Sequence, residues 1–235
     1  ANWLLGIALT RDRAKRTITL SQSLYIQNML SRFAVYINRS NCRQFDIPAT
    51  DELNSFHGDM GPEPDSAEAE RMRPLLGVYL QIIGCLIWLT SCTLPHLCVA
   101  TCVLSRFSIN PSERHWSALM RVLLYIQKHP DETLTLGGTG PDAEVLRVVT
   151  DASHEERASI SGVMIVMGCA LIDWICRRQR TTSRSSLESE AKANAEGAQD
   201  GIYKRELAKE FDVTICTTEF FTDSDSSVKL HKDQL

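Results

Sequence analysis

The chain reads as α/β: a mainly helical first part, then a mixed sheet with flanking helices at the C-terminal end. Three observations carry this reading. Apolar residues recur at intervals of three and four between positions 116 and 126, the spacing of one helix face. Three short apolar segments follow between 145 and 176, each of strand length. A long, polar, helix-favouring stretch then separates them from a fourth strand-like segment at 219–222.

Each element has its own local reason. Residues 17–30, TITLSQSLYIQNML, open with strand-like alternation at Ile18 and Leu20. They then shift to helical spacing, with Leu24, Tyr25, Met29 and Leu30 on one face. Residues 46–73 are acidic, carry Pro48, Gly58, Gly61, Pro62 and Pro64, and show no apolar period, so a linker is expected there. From Leu75 to Ser105 no charged residue occurs. Such a run is long enough to span a membrane. Gln81, Thr90-Ser91 and Pro95-His96 interrupt it, however, and two buried helices broken near Pro95 are the preferred reading, with no membrane. Asn110-Pro111-Ser112 reads as a helix start, and Trp116, Leu119, Val122, Leu123 and Ile126 form its inward stripe. Gly137, Gly138, Gly140 and Pro141 mark a boundary.

Beyond that boundary, strands are expected at Val145–Thr150, Gly162–Met167 and Leu171–Cys176. A helix follows from about Ser186 to Phe211, with Leu187, Ala191, Ala198, Ile202 and Phe211 as its inward stripe. A strand at Glu219–Thr222 delivers Asp223, and a further helix is expected to start near Ser226.

Composition excludes disorder: of 235 residues, 43% are hydrophobic and 23% charged, enough for one or two genuine cores. Charge is unevenly spread. Residues 1–45 hold seven Lys/Arg against the single acid Asp12, while the remainder is acidic. Phosphate binding local to Arg11, Arg13, Lys15 and Arg16 and a merely solvated basic surface are both open readings. The same two readings apply to Arg177, Arg178, Arg180 and Arg184, a cluster with no acid among them. None of the eight cysteines forms a C-x-x-C pair and no secretory signal opens the chain, so reduced thiols in an intracellular protein are expected.

Asp151 and Asp223 are each expected at the C-terminal end of a strand, each preceded by Thr. Neighbouring strands lie about 4.8 Å apart, so two such carboxylates can converge on one ion. Glu190, on the connecting helix, could complete the cluster. Oxygen-only ligands suit Mg2+ or Mn2+ rather than zinc. An Asp that only caps a turn and a Glu that only faces solvent fit the same pattern.

Several ordered segments resemble one family. VLSRF at 103–107, HW at 115–116 and RVLLYI at 121–126 resemble the stretch before the RNase H domain in copia-type LTR-retrotransposon Gag-Pol polyproteins. TDAS at 150–153, SISG at 159–162, IDW at 172–174, RRQ at 177–179, SSLESEAKA at 185–193 and TDSDSSVKL at 222–230 follow in that family's order. LLGI at 4–7 and TITLSQSLYI at 17–26 resemble the end of its reverse transcriptase, where an L-G-I strand helps hold the primer.

The resemblance implies residues 1–45 as the end of the reverse transcriptase palm and thumb. It further implies 46–73 as linker, 74–137 as a helical connection segment and 138–235 as an RNase H-like domain truncated at its C-terminus. It implies Asp151, Glu190 and Asp223 as catalytic ligands of Mg2+ or Mn2+, acting on the RNA strand of an RNA–DNA hybrid. The family's polymerase carboxylates lie upstream of the L-G-I strand, so nucleotide addition is not expected of this chain alone. A fourth acidic ligand is usual farther downstream, with Asp225, Asp200 and Glu188 as candidates here. The alternative implication is a catalytically silent remnant that at most binds nucleic acid. The setting implied is cytoplasm, virus-like particle or nucleus.

Overall fold

The computed structural model describes residues 2–39, 45–56, 58–138, 140, 142–154 and 159–223. It is a mixed α/β chain with two sheets. Strands β1 (Trp3–Leu4), β2 (Ile7–Asp12), β3 (Thr17–Ser21) and β4 (Thr133–Gly137) form one, in the order β1-β2-β3-β4. Strands β5 (Val145–Ser153), β6 (Ile160–Met167), β7 (Ala170–Arg178) and β8 (Thr217–Thr222) form the other, in the order β7-β6-β5-β8. The helices are α1 (Ser23–Arg39), α2 (Glu52–Ser55), α3 (Ala67–Met72), α4 (Leu76–Cys92), α5 (Cys98–Ser105), α6 (Glu113–Lys128) and α7 (Ser186–Glu210). The chain divides into two compact units: Ala1–Thr10 with Thr19–Leu134, and Arg11–Ile18 with Thr135–Leu235.

The first unit is built on helices. The uncharged run folds as α4 and α5, separated by a 3-10 turn at Pro95–Leu97 where proline removes an amide donor. Tyr79, Ile82, Ile83, Leu86 and Leu89 of α4 are buried, and the Tyr79 hydroxyl donates to the Leu104 carbonyl at 2.8 Å. The helical run Ala67–Cys92 contains a window apolar and long enough to cross a membrane by length and composition; here its inward residues make up much of this core. Helix α6 starts on a capping box: Ser112 Oγ accepts from the His115 amide at 3.3 Å, and His115 Nδ1 accepts from the Ser112 amide at 3.0 Å. The fully buried His115 ring stacks on Phe107 at 3.5 Å, and its Nε2 lies 3.3 Å from Asp59 Oδ2. Burial outweighs the Asp59 carboxylate and holds this imidazole down at about 4, so it is neutral near pH 7.

Three expectations change in this unit. LLGI is not a strand: Leu4 ends β1, Leu5 and Gly6 turn at positive φ (51° and 80°), and Ile7 opens β2 across from Leu4. A two-residue turn with both φ positive matches strand twist, and glycine takes its second position without strain. Helix α1 buries Ile26, Met29, Phe33 and Ile37, whereas Leu24 is 54% exposed, so the inward face is rotated from the expected one. The segment read as a linker at 46–73 folds as α2 and α3. Leu53, Phe56 and Met72 are buried, and the Phe56 and His115 rings meet in a T-shaped contact at 4.7 Å between centroids. Isolated large side chains anchor this segment without the periodicity that would announce it.

In the second unit β5 is central. It pairs antiparallel with β6, Asp151 opposite Gly162, and parallel with β8, Thr150 opposite Thr222. Leu146, Val148, Val163 and Ile165 form the core, with Ile172, Ile175 and Ile215 packed against it. Helix α7 lies across this sheet on a face opposite in character to the expected stripe. Leu187, Ile202 and Phe211 are 37%, 63% and 72% exposed, and Ala191 and Ala198 are exposed too. The buried residues are Ser189, Ala193, Asn194, Gly197 and Gly201. A Cβ at Gly197 would sit 2.4 Å from Thr150 Cγ2, and one at Gly201 would sit 2.8 Å from Val148 Cγ2. Small residues at every fourth position therefore let the helix backbone approach β5 more closely than an apolar stripe would allow. The helix expected near Ser226 lies outside the described residues, as do Asp225 and Cys42.

Candidate metal centre

The close seating of α7 on β5 decides where the acidic side chains meet. Asp151 sits two residues before the end of β5, which runs on to Ser153 rather than stopping at the carboxylate. Glu190 lies in the second turn of α7, and Asp223 directly follows β8. One carboxylate oxygen from each lies within 4.8 Å of the other two; Asp151 and Asp223 are exposed and Glu190 is half-buried. Segments separated by dozens of residues thus bring three acids to one point.

Electrostatics at this point are unfavourable without a cation. Burial, followed by the charges of Asp151 and Asp223, pushes the Glu190 carboxyl above its ordinary value. The Ala152 backbone amide, which hydrogen bonds to Glu190, pulls the other way without cancelling the rise. Glu190 Oε2 is buried and accepts no hydrogen bond among the described residues. A buried, unpartnered oxygen beside two further carboxylates is a donor set that fits a hard divalent ion.

The start of α7 is fixed by a buried amide. Gln179 Nε2 donates to Ser161 Oγ at 3.0 Å and to the Ser189 carbonyl at 2.8 Å, while its Oε1 accepts from Ser183 Oγ at 2.9 Å. The glutamine of the RRQ segment therefore ties β6 to the turn that carries Glu190. Ser185 caps the helix, accepting from the Glu188 amide at 3.2 Å. Glu188 is itself committed, to Lys192 Nζ at 2.8 Å and to the Arg184 amide at 2.8 Å. Asp200 is not among the gathered acids, although its Oδ2 is buried without a hydrogen bond.

The basic residues separate into two kinds. Arg11, Arg13 and Arg16 line a cleft of about 400 Å3 with Thr17 and Ile18, all in the second unit. Lys15 instead faces Asp12, at 3.8 Å, and Asp12 Oδ1 accepts from the Ala14 and Lys15 amides to close the turn. Arg177 and Arg178 are the last residues of β7, and Arg177 is ion-paired with Glu196. Arg178, Arg180 and Arg184 are exposed.

Comparison with known proteins finds relatives. The retrovirus-related Pol polyprotein from transposon TNT 1-94 of Nicotiana tabacum is 27% identical over 239 residues, covering 100% of this chain and 17% of that protein. The Pol polyprotein from transposon RE2 of Arabidopsis thaliana is 29% identical over 202 residues, covering 83% of this chain and 12% of that protein. These relatives are retrovirus-related Pol polyproteins of copia-type plant transposons, similar to this chain over most of its length at modest identity. The chain spans less than a fifth of the length of these Pol relatives. A third relative, secreted RxLR effector protein 161 of Plasmopara viticola, is 34% identical over 129 residues, 53% of this chain and 89% of that protein. No family model and no solved structure matches this chain.

Proposed function

We propose that the second unit of this chain is an RNase H-like domain that hydrolyses the RNA strand of an RNA–DNA hybrid, with Mg2+ or Mn2+ held by Asp151, Glu190 and Asp223. The observation that carries this reading is the convergence of three carboxylate oxygens, from β5, α7 and the end of β8, within 4.8 Å. A mixed sheet crossed by one long helix supports it, as does similarity to Pol polyproteins.

Bound divalent ions supply Lewis-acid stabilisation of the phosphodiester and a water of lowered pKa. The chain's own residues do the placing. Glu190, pinned by its helix, holds the inner side of the site, while the exposed Asp151 and Asp223 face the solvent from which a phosphate arrives. Arg11, Arg13 and Arg16 in their cleft, with Arg178, Arg180 and Arg184, contact hybrid phosphates and make affinity fall with salt. Lys15 and Arg177, already facing acids, contribute less. Phosphate contacts carry no base sequence, so recognition follows hybrid shape rather than base edges. Nucleotide addition belongs to the upstream palm and fingers of a Pol polyprotein, in the intracellular setting where hybrids form.

A second reading, a silent remnant that binds hybrid without cutting it, is favoured by one observation: only three acids gather among the described residues, and Glu188 is engaged elsewhere. Incubating the chain with a labelled hybrid and Mn2+ separates the two. The nuclease reading expects RNA-strand cleavage by the parent and none by Asp151→Asn, with unchanged circular dichroism. Hybrid binding without cleavage by the parent selects the remnant, and equal cleavage by Asp151→Asn defeats the site assignment.

A further inference from the structure

We infer that Thr150 and Asn194 are positioning residues that set the spacing of the three carboxylates; this rests on the metal-site reading above. The Thr150 hydroxyl donates to Asn194 Oδ1 at 2.5 Å, and the same oxygen lies 3.4 Å from the Phe221 carbonyl. The short contact takes the proton and the longer one is the weaker arm of a shared bond. One hydroxyl thereby touches the three elements that carry the acids. Thr150 is the residue before Asp151, Asn194 is one helical turn beyond Glu190 on the same face, and Phe221 is two residues before Asp223.

Both side chains are buried, at 2% and 4% exposure, beside the Val148 and Val163 methyl groups and the close-packed Gly197. An apolar pair would fill this space without requiring one geometry. A hydrogen-bonded pair rewards a single relation of α7 to β5 and penalises any shift that leaves a buried polar atom unpaired. The neighbouring Gly197, whose added Cβ would meet Thr150 Cγ2 at 2.4 Å, keeps the helix near enough for the bond to form. In metal sites, groups that orient the ligands without touching the ion commonly change its affinity about 10- to 100-fold when removed.

The test is Mn2+ affinity of the full chain without nucleic acid, read by electron paramagnetic resonance of the free ion. Thr150→Val keeps shape and removes the hydroxyl; Mn2+ binding is expected to weaken about 10-fold or more. Thr150→Ser restores the hydroxyl and is expected to stay within about threefold of the parent on the same scale. Asn194→Ala removes the acceptor by truncation rather than crowding, and is expected to match Thr150→Val. Ile165→Val, a truncation in the same core, is expected to leave Mn2+ affinity unchanged, which separates positioning from loss of stability. Parental affinity in both Thr150→Val and Asn194→Ala overturns the positioning role alone. A parent with no saturable Mn2+ binding overturns the metal-site reading and this inference with it.

Discussion

The two units place their buried ionisable groups in different surroundings. In the first, His115 is fully enclosed, yet its ring nitrogen caps a helix, its face stacks on Phe107 and it stays neutral. In the second, Glu190 keeps a buried oxygen with no hydrogen-bond donor among the described residues and faces two more carboxylates. The first keeps its buried ring uncharged, although His115 Nε2 makes no hydrogen bond among the described residues. The other holds three carboxylates together at a cost to its own stability.

The largest expected effect is in the first unit. Leu86→Ala, at a fully buried α4 position, should cost about 2–5 kcal/mol through lost burial and the cavity left behind. Chemical denaturation followed by amide exchange in α4 and α6 checks it. A loss under about 1 kcal/mol would show that this core is loosely packed.

Next is the acid response of the same unit. His115 is held at about 4, against 6.5 in an unfolded chain, so between these values the unfolded state binds the proton and the folded state does not. Stability is therefore full above about 6.5 and falls as pH drops toward 4, by an amount on the order of 3 kcal/mol. His115→Gln should flatten that part of the stability–pH profile. An equally steep profile in the variant would assign the acid sensitivity to other groups.

The second unit gives smaller effects, one of each sign. Gly197→Ala should destabilise it by about 1–3 kcal/mol, because the new methyl meets Thr150 Cγ2 at 2.4 Å and lifts α7 from β5. Glu190→Gln should instead stabilise the metal-free unit at neutral pH, by about 0.5–2 kcal/mol, since it removes the buried charge that its neighbours repel. Thermal melts in chelator read both. If Glu190→Gln destabilised the unit as an ordinary core substitution does, the contrast between the two units would collapse.

Much of this contrast was legible in the sequence. The apolar strands around Asp151 and the helix through Leu119 and Leu123 stand where their residues placed them, while β5 runs two residues past Asp151 instead of ending there. The faces of α1 and α7 were not legible, for a physical reason. An apolar stripe marks the inward face only where a helix packs by filling space; α7 packs by close approach, so Gly197, Gly201, Ala193 and Ser189 face the sheet and the larger side chains face out. The four-residue spacing of those small residues was the available signal. Thr150, Asn194 and Gln179 escaped because a buried polar contact depends on a partner far along the chain, which no local pattern reveals. The turn at Leu5-Gly6 hid inside an apolar run that reads equally well as strand.

Thermal stability of the second unit with increasing Mn2+ is the most direct measurement of whether Asp151, Glu190 and Asp223 form a cation site. At an Mn2+ concentration about 100 times its dissociation constant, the parent should gain about 2.7 kcal/mol, and Asp151→Asn should gain almost nothing. A parent whose melting does not respond to Mn2+, or an Asp151→Asn variant that gains as much as the parent, would contradict the site.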